Sequence, residues 1–190
     1  MRTLISTAFI SLDGVVEDPG GQSDYRNGGW TFKSVDFVPE AYALKGSEQQ
    51  ESTAILMGRK SYELFSPVWP NMEDFAHYKD LPKYVVSTTL TDDGLVSDWG
   101  PTTLLRSLDE VAALKKTKGG PIIIHGSVTL NHALSDAGLI DRYNLLVFPL
   151  LLGAGEKFFS DTDKDTQKLK LVDSEVFSNG IQKNVLDVIH

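Results

Sequence analysis

The sequence predicts an α/β chain: a mixed, mainly parallel sheet with helices on its faces, ending in a C-terminal β-hairpin. Three observations predict it. Short apolar runs with β-branched residues alternate with stretches of helical character along most of the chain. Several runs lead directly into turn-and-helix segments, as in Met57-Gly58-Arg59-Lys60-Ser61 and Ile124-His125-Gly126-Ser127, and parallel strands need such crossovers. The last two runs instead flank Asn179-Gly180, the strongest short hairpin signal.

The elements follow in order. Leu4 to Leu12 is a first strand, apolar enough to be central, and Asp13-Gly14 ends it. Val15 to Trp30, rich in Gly, Asp, Asn and Pro, is a long loop of functional or mobile type. Phe37 to Gln50 is helical, with Pro39 tolerated in its first turn. Thr53 to Met57 is a buried strand, and Gly58 turns it into a helix over Arg59 to Phe65. Met72 to Lys79 is a weaker helical segment. Lys83 to Thr88 and Thr102 to Leu105 are strands. Ser107-Leu108-Asp109-Glu110 is a capping box opening a helix to about Lys116, which Gly119-Gly120 stops. Pro121 to Ile124 is a fully apolar strand. The helix after Ser127 runs to about Ala137 and ends at Gly138, an αL terminator. Tyr143 to Pro149, Leu169 to Phe177 and Ile181 to Ile189 are the remaining strands.

At 190 residues with no linker, repeat or low-complexity stretch, the chain reads as one domain, residues 1–190. Its formal net charge of −8 argues against a nucleic-acid partner, which needs a basic face, but leaves room for a local anion site. No cysteine is present, so disulfides, thiolate chemistry and cysteine-based zinc sites are excluded. No run reaches the ~20 apolar residues that span a bilayer, and no leader pattern follows Arg2. The expectation is a cytoplasmic protein with no membrane partner.

Donor-bearing turns recur at strand ends: Gly58-Arg59-Lys60-Ser61, Ser87-Thr88-Thr89 and Gly126-Ser127. Parallel strands align such turns on the carboxyl edge of a sheet, where open α/β folds bind nucleotides, and Arg106 reaches the same edge. Helix N-termini attract anions, whereas cations there oppose the helix dipole. Arg59 and Lys60 are therefore either a phosphate site or a solvated pair beside a structural glycine. No Gly-x-Gly-x-x-Gly or Gly-x-x-x-x-Gly-Lys-Ser/Thr loop occurs, and no Gly-x-Ser-x-Gly elbow. His77, His125, His132 and His190 lack metal-ligand spacing, so no metal is expected. His125 ends a buried strand, as a hydrogen-bonded structural residue or as a base or ligand. Asp13 either caps the turn with Gly14 or acts on a substrate, and Trp30 is either a lid anchor or a plug over the core.

Several segments together resemble a known family. They are Phe9 to Val16, Gly28-Gly29-Trp30, Leu56 to Glu63, Trp69-Pro70, Lys83 to Ser87, His125-Gly126-Ser127, Gly138 to Asp141 and Pro149 to Gly155. In this order they are similar to the dihydrofolate-reductase-like proteins related to the reductase domain of bacterial riboflavin biosynthesis. The resemblance implies a three-layer sandwich around an eight-stranded sheet, a homodimer, and NADPH lying across the carboxyl edge. By position, Gly58, Arg59, Lys60 and Ser61 would hold the 2′-phosphate and pyrophosphate region. Ser87, Thr88 and Arg106 would flank the adenosine end, and Gly126, Ser127 and Val128 would cradle the pyrophosphate. Ala8, Ile10 and Gly14 would line the nicotinamide pocket. Asp13 (catalytic) and Trp30 (substrate-binding) are the candidates for the substrate side. The implied activity is NADPH-dependent reduction of a small heterocycle, pterin- or pyrimidine-like, of the 5-amino-6-(5-phosphoribosylamino)uracil type. The alternatives are an NADP(H)-binding protein of the same fold without turnover, and a phosphosugar or nucleotide enzyme using the edge without redox. Three positions differ from the family pattern. Arg142 follows Asp141 where Glu is usual, and Asn27 precedes Gly-Gly-Trp where His is frequent. The carboxylate that folate reductases carry on the helix after the long loop has only Asp36 and Glu40 near it.

Overall fold

A computed structural model describes residues 1–190. Eight strands form one sheet in the order β4-β3-β2-β5-β1-β6-β8-β7. They are β1 (Leu4–Ser11), β2 (Ala54–Gly58), β3 (Lys83–Val86), β4 (Thr102–Leu105), β5 (Ile122–Ile124), β6 (Arg142–Phe148), β7 (Lys168–Val176) and β8 (Gln182–Ile189). From β4 to β6 every pairing is parallel, and β8 pairs antiparallel with both β6 and β7. The helices are α1 (Trp30–Lys33), α2 (Ala43–Glu51), α3 (Arg59–Phe65), α4 (Leu108–Lys115) and α5 (Val128–Asp136).

Alternation along the central strands sorts the two faces. Leu4, Ile10, Leu56, Ile122 and Ile124 pack against Val111 and Leu114 of α4 and Leu130 and Leu134 of α5. Ile5, Ile55, Met57 and Ile123 point the other way, into an aromatic layer of Tyr62, Trp69, Tyr78 and Trp99. Further along that second face, Leu146 and Phe148 pack with Trp30 and Ala41. Sheet and helices thus form the expected three layers.

Departures from the sequence reading are local. The helix expected from Phe37 begins as a 3₁₀ turn, Pro39–Tyr42, and becomes α-helical only at Ala43. The weak segment after Met72 is a 3₁₀ helix, Glu73–Tyr78, with Phe75 at non-helical angles. The loop from Val15 to Trp30 is crossed by hydrogen bonds. Asp18 accepts from the N–H groups of Gln22 and Ser23, Tyr25 Oη donates to Ala154 O at 2.6 Å, and Thr31 Oγ1 donates to Pro19 O at 2.7 Å. Asp141 and Arg142 are both in use at the far end of the sheet. Asp141 accepts from Leu4 N at 2.7 Å and pairs with Lys115 at 2.8 Å, while Arg142 pairs with Asp187 across to β8 at 2.6 Å.

Candidate cofactor edge and active-site cleft

β2 and β5 run in register to Leu56 and Ile124, and the turns that follow them are clasped together. Gly58 N–H donates to Ser127 Oγ at 2.6 Å, and that hydroxyl donates to Ser61 Oγ at 2.7 Å. The close approach requires glycine on both sides. A Cβ on Gly58 would lie 2.7 Å from Ser127 Oγ, and one on Gly126, at φ +63°, would lie 2.6 Å from Ser61 Oγ. Ser127 itself is held in the left-handed region at φ 59°, a strained state for a residue with a side chain that tends to mark functional sites.

A comparison within the chain shows what that strain does. Ser107 caps α4 by accepting from Glu110 N, whereas Ser127 occupies the same position before α5 and makes no side-chain cap. Its hydroxyl is turned across to the Gly58 turn instead. The first amides of α5 have no intrahelical partner, and Ser127 leaves them free. α3 begins uncapped at Gly58 as well. Two uncapped helix starts side by side, with exposed Arg59 and Lys60 at their rim, form an anion cradle. Arg59 is engaged only in an exposed pair with Glu63 at 3.3 Å, and such a pair is worth about 0.3–0.5 kcal/mol, so a phosphate would displace it readily.

Ser87, Thr88 and Arg106 follow β3 and β4 at the same edge of the sheet. Ser87 is buried, its Oγ accepting from Leu90 N at 2.9 Å. Arg106 Nη1 donates to Ser87 O at 2.6 Å and Leu90 O at 2.7 Å, leaving Nη2 and Nε without protein partners. Thr88 is exposed beside them. Val128 opens α5. Ala8 and Ile10 face the α5 side of β1, and Gly14 follows at φ +83°. Uncapped amides, free guanidinium N–H groups and a hydroxyl-lined glycine turn fit the phosphates and ribose of a dinucleotide.

The sheet also splits at this edge. β1 pairs with β5 only as far as Ser6 opposite Ile124, yet continues beside β6 to Ser11 opposite Phe148. From Thr7 onward β1 therefore has no neighbour on its β5 side. The cleft lies between β1 and the His125-Gly126-Ser127 turn, at the carboxyl end of the strands, where open α/β sheets bind ligands.

A polar cluster sits where the cleft begins, on the α2 face. Thr7 and His125 are the first residues beyond the last β1–β5 pair. Thr7 Oγ1 lies 2.7 and 2.9 Å from the Glu48 carboxylate oxygens and also receives Lys45 Nζ. Lys45 pairs with Glu48 at 3.5 Å, the two side chains being 16% and 3% exposed. Lys45 Nζ stands 5.1 Å from the centre of the Phe9 ring. His125 Nε2 and Tyr78 Oη are 2.9 Å apart, and the imidazole meets the Trp69 ring edge-on.

Electrostatics follow from burial. Burial, with the Lys45 ammonium second, pulls His125 down to about 3, so its imidazole is neutral under physiological conditions. Burial lowers Lys45, and Glu48 partly restores it. Burial, reinforced by the Glu48 charge, pushes the Tyr78 phenol up.

Asp13 and Trp30 hold other positions. Burial would raise the Asp13 carboxyl, but Ser11 Oγ at 2.6 Å, the N–H groups of Leu152 and Gly153 at 3.1 and 2.8 Å, and the Lys157 ammonium at 3.6 Å outweigh it. The group is held well below the usual carboxylate range, an acceptor with its lone pairs engaged rather than a proton donor. Trp30 is 1% exposed, with its indole N–H donated to Glu17 O at 2.9 Å and its ring edge-on to Phe148. The ring packs in the core with Phe148, Leu146 and Ala41, the position of a plug. Two surface cavities, of about 380 and 340 Å³, border these groups: Trp30, Asn27 and Leu151 line one, and Glu48 and Asn144 line the other, between α2 and the β7–β8 hairpin. Neither borders Gly58 or Gly126.

Lys45, Glu48, Thr7 and Tyr78 escape the sequence reading. Lys45 and Glu48 have the spacing of an ordinary solvated helix pair, and the partner that buries them, Thr7, is 38 residues away. The buried carboxylate of α2 is Glu48, eight residues beyond Glu40.

A mainly parallel sheet split beside its central strand, with a donor-lined carboxyl edge, defines an α/β fold of the reductase type. The chain belongs to the RibD C-terminal domain family, whose model matches residues 2–183. It is 29% identical over 187 residues to the uncharacterized protein YyaP of Bacillus subtilis strain 168, covering 95% of this chain and 92% of the relative. A riboflavin biosynthesis protein described as putative, from Shewanella sp. PV-4, superposes with a TM-score of 0.77 at 21% identity over the whole of both chains. The dihydrofolate reductase of Enterococcus faecalis, solved with NADP(H), superposes with a TM-score of 0.62 at 13% identity, over 99% of this chain and 97% of that one. The expected dihydrofolate-reductase-like sheet is therefore the fold of this protein.

Proposed function

We propose that the protein is an NADPH-dependent reductase of a small pterin- or pyrimidine-like heterocycle. The observation that carries this reading is Ser127, whose strained backbone and diverted hydroxyl leave the α5 start open beside the equally uncapped α3. Gly126, Ser127 and Val128 would hold the pyrophosphate, and Arg59, Lys60 and Ser61 the 2′-phosphate region. Ser87, Thr88 and Arg106 would meet the adenosine end. Ala8, Ile10 and Gly14 would border the nicotinamide at the split between β1 and β5. When bound, the nicotinamide supplies the hydride; the chain orients it and excludes water. The substrate ring would then lie on the α2 face, against His125, Trp69 and the Lys45–Glu48 pair. Asp13 we assign to fixing the end of β1 against the Leu152-Gly153 turn.

Titration of tryptophan fluorescence with NADPH and NADH tests the reading, followed by turnover with 7,8-dihydrofolate and 5-amino-6-(5-phosphoribosylamino)uracil. NADPH should bind more tightly than NADH. Arg59→Ala should weaken NADPH by about 1.5–3 kcal/mol, as for hydrogen bonds to charged groups, and barely affect NADH. Equal losses for both would remove the 2′-phosphate assignment. Tight NADPH binding with no turnover of either compound would favour the binding protein without turnover.

A further inference from the structure

We propose that Lys45, held by Glu48 and Thr7 at the start of the cleft, is the proton donor of the reduction. This rests on the reductase reading and names the acid that it lacks.

Hydride addition to a C=N or C=O carbon leaves an electron pair on the nitrogen or oxygen, and that pair must collect a proton. With hydride from the reduced nicotinamide, the substrate π bond breaks toward the heteroatom. A Lys45 Nζ–H bond then breaks as the new N–H or O–H bond forms. The products are the reduced ring, oxidised cofactor and a neutral Lys45 amine, which water reprotonates.

The groups facing the site leave few other donors. Asp13 is an acceptor tied to its own loop. His125, from the β5–α5 turn, is neutral and is joined to Tyr78 through Nε2. Tyr78, from the 3₁₀ helix, is pushed further from releasing its proton. Glu48 from α2 and the Thr7 hydroxyl from β1 both contact Lys45, and the Asn144 carbonyl of β6 lies 3.3 Å from Thr7 Oγ1. Lys45 alone combines a mobile proton, partial burial and a position beside the split. Burial lowers its pKa, and Glu48 opposes that shift.

Arginine separates this role from a structural ion pair. Lys45→Arg keeps the charge and the Glu48 partner, but a guanidinium does not give up its proton in this pH range. We expect Lys45→Arg and Lys45→Met both to lower kcat by about 10²-fold or more with NADPH Kd within about 3-fold of wild type. In the wild type kcat should fall at high pH as Lys45 deprotonates, and Glu48→Gln should move that fall to lower pH.

A second readout needs no turnover. NMR titration of lysines labelled with ¹³C should show, besides Lys83, a lysine that titrates below the ordinary range, is absent in Lys45→Met and moves lower in Glu48→Gln. A wild-type chain that does not bind NADPH would sink the reductase reading and this proposal with it. Full kcat in Lys45→Arg, or a Lys45 resonance titrating at the ordinary lysine value, would overturn the proposal alone and leave the reductase reading standing.

Discussion

Asp13 shows how a single carboxylate is committed by its neighbours. Its bonds to Ser11, Leu152 and Gly153 join the end of β1 to a turn about 140 residues further along the chain. Its folded pKa lies below the unfolded value of 3.8, so its contribution is present above that value and fades as pH falls through the folded pKa. Asp13→Asn should therefore cost on the order of 2 kcal/mol at pH 7, measured by urea denaturation, and much less near pH 2. A constant difference across that range would mean that the charge is not what matters. Trp30→Ala should cost about 3–5 kcal/mol, the range for a buried aromatic; a change in substrate KM without loss of stability would return Trp30 to the substrate side.

At the scale of elements, paired helix starts and a buried lysine carry the consequences. Gly126→Ala must accommodate both a positive φ and a contact with Ser61 Oγ, so it should push the two turns apart. NADPH affinity should fall tenfold or more, about 1.4 kcal/mol, while far-UV circular dichroism stays unchanged. At the start of β3, Lys83 is fully buried, donates to Tyr78 O and Lys79 O at 2.6 Å, and lies 4.9 Å from the Trp99 ring centre. Burial, partly offset by Asp80, lowers it from 10.5 to about 8. Its folded pKa is thus below the unfolded one, so the unfolded chain binds more protons between those values and stability rises with pH across that window. Thermal melts of the wild type and Lys83→Met from pH 7 to 10.5 check this. The wild type should gain on the variant as pH rises, and parallel curves would refute it.

For the whole molecule, the C-terminal hairpin is the exposed flank of the fold. Every residue of β7 is exposed, including Leu169, Leu171 and Val176, and a long exposed strand edge is ordinarily covered or blunted. The homodimer that the family resemblance implies would cover it. Lys168 and Lys170 lie at one end of β7, and Asp173 and Glu175, which pair with Lys183 at 3.0 Å, at the other, so two copies of β7 about a two-fold axis would bring opposite charges together, as an isologous interface requires. Sedimentation at micromolar concentration should give a dimer for the wild type and a monomer for Leu171→Asp; a monomeric wild type would refute the assignment. No helix is long and apolar enough to cross a membrane.

Local chemistry made much of this protein legible without coordinates. Apolar runs and their turn residues located all eight strands, Ser107 and Gly138 marked helix ends, and Asn179-Gly180 marked the hairpin, because each depends on neighbours a few residues away. The turns at Gly58 and Gly126 could be named as a pair for the same reason. Only the tertiary structure decided which side chains are engaged and which are free. It turned Ser127 away from its own helix, closed Asp13 onto Leu152 and Gly153, and buried Trp30 against Phe148. Above all, it made a buried ion pair of Lys45 and Glu48 by laying α2 across Thr7. A lysine three residues from a glutamate reads the same on any helix surface. Whether water or a sheet covers it depends on contacts between segments far apart in the chain, and a helix's own residue spacing does not encode them.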